Sequence, residues 1–433
     1  MRTLAAFFSD LVGPAAVMAA GTMGAGAVAS FLLAGAWFRY ELLWVILAML
    51  PVFVVSVDTA SRIGALNPGH GMFALVRTRI SSGLAWIILL LVVPVHFLVT
   101  MGQISVMSSA FLTLLGLPAS SSSSLGLEVF LSVALSAAVL WLVFSRGYER
   151  MQRVMTLLML LMFLCFLVVA VRGLVELPAI LAGFVPSLPQ DLAVPGSESP
   201  RIATSSIIAM VGAAVAPAAL LGMPYMCADD GGSREELTRA FRQAIINMGF
   251  VFGAYAMFVV VAGGYALYSL PDHASFADVG QASAVFRDAL PGVFSALGPV
   301  IFSLGLFTAA MTTLVVAAQV TIYFVLDMVG KEWRFSSDNT LYQRVLTGFV
   351  LAAAALAPFW DFPALLKVIL LMGINVVVIP LAFVIVLVLV NSSDVMREFK
   401  AEWWRNMLLI IGLVTSIVLA VDKAPHYYRL LMG

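Results

Sequence analysis

The chain has 433 residues, 62% of them apolar and only 11% charged, against roughly 45–50% and about 25% in ordinary soluble domains. Its mean hydropathy is +1.06, and its long apolar runs each suffice to cross a hydrocarbon core of about 30 Å as a helix. Soluble enzymes, nucleic-acid binders and disordered tails are thereby excluded, and the lipid bilayer becomes the chain's main partner. Lys and Arg number 23, as do Asp and Glu, so the zero net charge points to no electrostatic partner and charge placement is the more informative quantity.

The start, Met1 and Arg2 before an apolar stretch, is interrupted by Asp10 and Pro14 and is not read as a secretory signal. Eleven transmembrane helices are predicted, near 13–36, 42–64, 84–115, 127–144, 151–173, 202–226, 241–269, 294–328, 342–360, 362–390 and 403–422. The first span contains Gly21-Thr22-Met23-Gly24-Ala25-Gly26, three glycines within six residues, and is predicted to unwind there. In the second, Asp58 and Arg62 stand four apart on one helix face, which fits either a gate or a structural pair holding this span to the connection before the third. In the third, His96 follows Pro94; its imidazole suits proton transfer near neutrality, or a hydrogen bond to a neighbouring helix. The run Ser120 to Ser124 reads as a short outer loop, and 174–200, with Pro178, Pro186, Pro189 and Pro195, as the longest connection.

The sixth span is interrupted by Ala216-Pro217-Ala218, where the proline removes a backbone hydrogen bond and clashes with the preceding turn. Beyond it, Asp229-Asp230-Gly231-Gly232 reads as a helix stop and Ser233 with Glu236 as a capping box, with too few acids and no ligand spacing for a metal loop. Asn247 and Asn375 lie inside spans, where an amide needs a partner across helices. Two cysteines, Cys165 and Cys227, give neither a disulfide framework nor a Cys-rich metal site. A phosphate-binding Gly-Lys-Ser/Thr loop is lacking, so ATP-driven transport has no support and no enzyme is expected.

Sixteen Lys and Arg fall on the N-terminal side of the spans and seven on the other. The positive-inside rule therefore predicts a cytoplasmic N-terminus and, with an odd span count, an outer C-terminus in a plasma or inner membrane. Spans one and six correspond if the chain is two five-span halves of opposite topology. Interrupted segments at matching places in two halves point to a secondary-transporter site near the bilayer midplane.

Several stretches carry a resemblance: Gly13-Pro14, Gly24-Ala25-Gly26-Ala27, Ala34-Gly35-Ala36, Leu42-Leu43-Trp44, Arg62-Ile63-Gly64, Leu304 to Ala310 with Gln319, and Ile379-Pro380-Leu381 with Asn391 to Met396. Over about 13–420 the chain resembles the NRAMP family. The resemblance implies an all-α, LeuT-type 5+5 inverted repeat plus one extra helix: a single transporter domain, with repeats at about 13–173 and 202–390 and the last helix at about 403–422. It also implies, for typical members, proton-coupled uptake of manganese or iron. The family's first-span Asp-Pro-Gly-Asn aligns with Gly24-Ala25-Gly26-Ala27, and its sixth-span Met-Pro-His with Ala216-Pro217-Ala218, so the side-chain metal ligands are missing. Its acidic pair in the third span aligns with Thr100 and Gln103, while the eighth-span glutamine is retained as Gln319.

A divalent ion leaving water needs oxygen, thioether or imidazole ligands, usually with a carboxylate to offset its charge. What the motifs leave is a neutral, glycine-lined pocket with two half-helix N-termini, whose exposed N–H groups suit a carboxylate. The expected solute is a small carboxylate or amino-acid-like molecule, for which the loss of Asp and Met would free volume. The alternative is a divalent metal cation (Mn, Fe or Mg). The predicted substrate-binding residues are Gly24, Ala25, Gly26, Ala27, Thr100, Gln103, Val215, Ala216, Pro217, Ala218 and Gln319; no resident metal or cofactor is expected, apart from a coupling proton or monovalent cation. Oligomeric state is not legible in the sequence.

Overall fold

The structure, a computed structural model, describes residues 13–117, 125–145, 147–193, 200–214, 216–229, 231–268, 279–289, 292–336, 338–360 and 363–432. The expectations placed on Val215, on Asp230, on Pro195, on the 120–124 loop and on the N-terminal residues up to Asp10 fall outside this set. The regular structure of the described residues is helical, apart from one isolated bridge between Leu192 and Arg201 in the longest connection.

The first span is two helices, α1a (Pro14–Thr22) and α1b (Ala25–Phe38), bent by 52° at the break. Pro14 sits at the start of α1a, where its missing N–H is no loss. At Gly24 the backbone is extended (φ −71°, ψ 178°), so this residue ends one helix and caps the next. Then come α2 (Leu43–Leu66), α3 (Ser82–Leu114), α4 (Leu125–Phe144) and α5 (Gly147–Gly173), with a short helix, Met72–Arg79, between α2 and α3. The sixth span is again divided, into α6a (Ala203–Ala214) and α6b (Pro217–Met226). Ala216 is extended (φ −66°, ψ 147°) because a residue before proline is pushed out of the helical region.

The seventh span, α7 (Arg234–Ala266), starts on the predicted capping box: Ser233 Oγ accepts from the Glu236 N–H (3.3 Å), and the Glu236 carboxylate accepts from the Ser233 N–H (2.9 Å). It contains a π-helical turn over Ile245–Val251. Four long helices follow, α8 (Gly298–Met328), α9 (Thr340–Leu356), α10 (Ala364–Asn391) and α11 (Trp403–Met432), with shorter ones at Val279–Ala289 before α8 and Ser393–Met396 before α11. Among the described residues, nine helices are long and apolar enough to cross a membrane, or ten when α1a and α1b count as one span. The predicted number was eleven. The difference is α10, a helix of 28 residues of which Val377–Asn391 forms the described apolar stretch.

Close approach of backbones organises the core, as expected where small residues replace hydrophobic driving force between helices. A Cβ on Gly35 of α1b would lie 2.2 Å from the Val260 carbonyl oxygen of α7, and one on Gly263 of α7 would lie 2.2 Å from the Leu32 carbonyl oxygen of α1b. Likewise a Cβ on Gly64 of α2 would come within 2.1 Å of the Pro224 carbonyl oxygen of α6b. Helix α8 packs along α3 and against both broken spans; Val316 closes on Gly21 of α1a and Val320 on Gly222 of α6b.

Asp58 is fully buried and receives Arg62 Nε at 3.2 and 3.1 Å, together with the Arg405 guanidinium of α11. The pair read from the sequence is therefore a trio that fastens α2 to α11, not to the connection before α3.

Candidate functional site

Between the two broken spans lies a cavity of about 40 Å³. Gly24, Gly26 and Ala27 of α1b's cap and first turn line it, with Ala216 and Ala218 at the start of α6b. Each of these helices begins here with N–H groups that no helical carbonyl satisfies, so the positive ends of two helix dipoles meet at one small volume. The cavity's α3 wall is a stripe of His96, Val99 and Gln103, at i, i+3 and i+7 of one helix face. Asn375 of α10, with Thr313, Val316 and Ala317 of α8, completes the enclosure.

Six predicted residues thus converge: Gly24, Gly26, Ala27, Gln103, Ala216 and Ala218. Others are placed differently. Thr100 is buried, but its hydroxyl donates to the His96 carbonyl one turn back (2.8 Å), so it braces α3 and does not line the cavity. Gln319 is buried two residues beyond Ala317, which on a helix turns it about 200° away from the lining face. Ala25 and Pro217 shape the two helix starts without lining the space, and Asp58 and Arg62 stand apart from it.

The expected gain in volume is absent. A Cβ on Gly24 would lie 1.6 Å from Thr313 Oγ1, whose hydroxyl donates to the Gly21 carbonyl at 2.5 Å. Thr313 of α8 occupies the room that a side chain at position 24 would need, and it satisfies a carbonyl exposed by the break. Sequence reasoning missed Thr313 because this contact spans 292 residues. It also missed Met18 of α1a, and it singled out His96 for proton transfer or a helix–helix hydrogen bond without placing it at the site; both line the cavity from positions unrelated to the family motif. His96 Nδ1 lies 2.8 Å from Thr321 Oγ1, which itself donates to the Ala317 carbonyl (2.6 Å). When the Thr321 hydroxyl donates to Ala317, Nδ1 carries the proton of the neutral imidazole and Nε2 is its acceptor.

A second, larger cavity of about 490 Å³ lies among the start of α1a, the ends of α2 and α6b and the start of α7, with Gly13, Ser61, Tyr225 and Gln243 in its wall. At its edge Tyr225 donates to Asp327 of α8 (2.6 Å) while accepting from the Phe73 N–H (3.0 Å), and the Ala74 N–H donates to Asp327 (3.0 Å). This network ties α6b, α8 and the Met72–Arg79 helix together. At the opposite end Glu176 bonds both Arg39 (2.9 Å) and Tyr40 (2.6 Å), and Trp44 Nε1 donates to the Ser187 carbonyl (2.9 Å).

A polytopic helical bundle with a small cavity between two interrupted spans, and a larger one toward one end, defines a membrane transporter of the LeuT-type fold. A family model described as natural resistance-associated macrophage protein-like matches residues 15–423, and the chain belongs to that family. Solved structures agree on the fold. A mutant of the Eremococcus coleocola manganese transporter is 17% identical with a TM-score of 0.74, covering 95% of this chain and 85% of its own. The same transporter in complex with an aromatic bis-isothiourea substituted compound is 16% identical with a TM-score of 0.75 over the same shares. MhsT in complex with L-phenylalanine is 13% identical with a TM-score of 0.57, covering 94% of this chain and 98% of its own. No curated protein matches the chain.

Proposed function

We propose that this chain is a secondary transporter working by alternating access on a small carboxylate or amino-acid-like solute, held by the N–H groups at the starts of α1b and α6b. One observation carries the reading: two helix N-termini open onto one cavity, and no carboxylate stands among its described lining residues. A helix start stabilises an anion and disfavours a cation. The orientation inferred from basic residues puts the 490 Å³ cavity on the cytoplasmic side. A proton or monovalent cation, held by carbonyls where α1a and α6a end, would couple the cycle.

The test is solute uptake by proteoliposomes. Small carboxylates and amino acids should accumulate saturably, and micromolar Mn2+ should not. Saturable Mn2+ uptake without any carboxylate uptake would overturn the proposal.

A second reading, a divalent cation, is favoured by Met18 and His96 in the wall and by similarity to structures named as manganese transporters. It requires an ion of charge +2 to lie in a buried space without a carboxylate, which the usual ligand chemistry of Mn2+, Fe2+ and Mg2+ opposes. His96→Ala distinguishes the two: it should abolish metal uptake and leave carboxylate uptake measurable.

A further inference from the structure

The polar side chains that face the central cavity are mostly committed. Thr22 donates to the carbonyls of Met18 (3.1 Å) and Ala19 (2.9 Å), Thr313 to that of Gly21 (2.5 Å), and His96 is held through Nδ1 by Thr321 (2.8 Å). Gln103 differs. Its side chain is 0% exposed, it lines the cavity, and neither its Oε1 nor its Nε2 has a hydrogen-bond partner. A carboxamide left so inside a protein is expensive, because both its donor and its acceptor have given up water without replacement. Such a group in a transporter's cavity is accounted for when a ligand supplies the two bonds.

A carboxamide presents a C=O acceptor beside an N–H donor. Its full complement is a group offering the same two functions in reverse order, an N–H next to a C=O. A carboxylate alone satisfies only Nε2 and leaves Oε1 orphaned; a cation alone satisfies only Oε1. We infer that Gln103 is a specificity-determining contact and that the solute carries an amide-type edge facing it, in addition to the carboxylate placed on the α1b and α6b starts. This rests on the carboxylate reading proposed above. Size is consistent with it: about 40 Å³ corresponds to about three water molecules, the bulk of a solute of about five or six non-hydrogen atoms.

The test uses the purified full-length chain in detergent and three probes of similar shape, with binding read by calorimetry and thermal shift. Oxamate carries both carboxylate and amide; pyruvate replaces the amide NH2 by CH3; pyruvamide keeps an amide and lacks the carboxylate. Oxamate should bind at least tenfold more tightly than pyruvate, since a site built to pair an N–H rejects the analogue lacking it. Gln103→Leu should narrow that difference, weakening oxamate about tenfold or more and pyruvate, which has only its keto oxygen to lose, much less. The same variant should unfold at the wild-type temperature or above, because it removes unpaired polar atoms; a marked fall would mean Gln103 has a structural partner and would overturn the inference.

Equal affinities for oxamate and pyruvate, both insensitive to Gln103→Leu, would overturn the amide edge and leave the carboxylate reading standing. Pyruvamide binding as tightly as oxamate, with both dependent on Gln103, would keep the amide edge and remove the carboxylate. Binding by none of the three up to tens of millimolar would overturn both.

Discussion

Glycine 24 bears a different constraint from the one its motif suggests. An ion-binding aspartate stands here in the family pattern, so Gly24→Asp first looks like an electrostatic probe of an anion site. The contact with Thr313 changes that, because any side chain at position 24 collides with Oγ1 before its charge matters. Gly24→Ala should therefore abolish transport nearly as completely as Gly24→Asp, and lower stability by about 1–3 kcal/mol, the usual range for overpacking. Uptake and thermal unfolding of the two variants side by side check this; a fully active Gly24→Ala protein would show that α8 yields easily. Gln319 offers the opposite case. Although it is the one side chain retained from the family's set, it is turned away from the lining face, so Gln319→Ala should leave solute affinity unchanged and reduce stability by about 0.5–1.5 kcal/mol through a lost hydrogen bond. Binding isotherms on the folded variant decide it.

The helices were largely readable because apolar length and helix breakers are local properties. Gly24 and Ala216-Pro217 mark the breaks, and Ser233 with Glu236 marks a helix start, each through chemistry within a few residues. What the sequence hides is which faces meet. Asp327 carries no signal in its own span, yet the Tyr225 hydroxyl and the Ala74 N–H of the Met72–Arg79 helix converge on it, with the Phe73 N–H holding Tyr225 in turn. Met18, His96 and Asn375 likewise enter the cavity only through the packing of three different helices. The π turn at Ile245–Val251 was equally invisible. The trio on Asp58 belongs to this scale, since it joins α2 to α11. Asp58→Asn leaves two guanidinium groups facing a neutral amide, and should destabilise the protein by about 3–5 kcal/mol. Arg62→Gln keeps the Arg405 contact, so Asp58 stays paired and the loss should be smaller than that of Asp58→Asn. Denaturation of the purified variants gives the comparison, and equal losses would contradict this division of roles.

For the molecule as a whole, orientation is the first quantity to measure. With the native cysteines Cys165 and Cys227 buried, Val185→Cys in the longest connection and Glu332→Cys after α8 provide exposed thiols at opposite ends. An impermeant maleimide should label Val185→Cys on intact cells, and Glu332→Cys only after the membrane is opened. The reverse pattern would invert the proposed topology, and with it the side on which the larger cavity lies. The glycine contacts carry a mechanical implication of their own. The segment α1b is pressed backbone to backbone on α7, and α6b on α2; exchanging α1 with α6 and α2 with α7 turns one contact into the other. Each of these half-helices is thus packed against a helix from the other half of the sequence, so the two five-helix blocks are interlocked. Severing the chain between α5 and α6a would leave each fragment with half of a hinge whose counterpart is on the other piece. Transport should return only when both fragments are made together and re-knit into a single bundle.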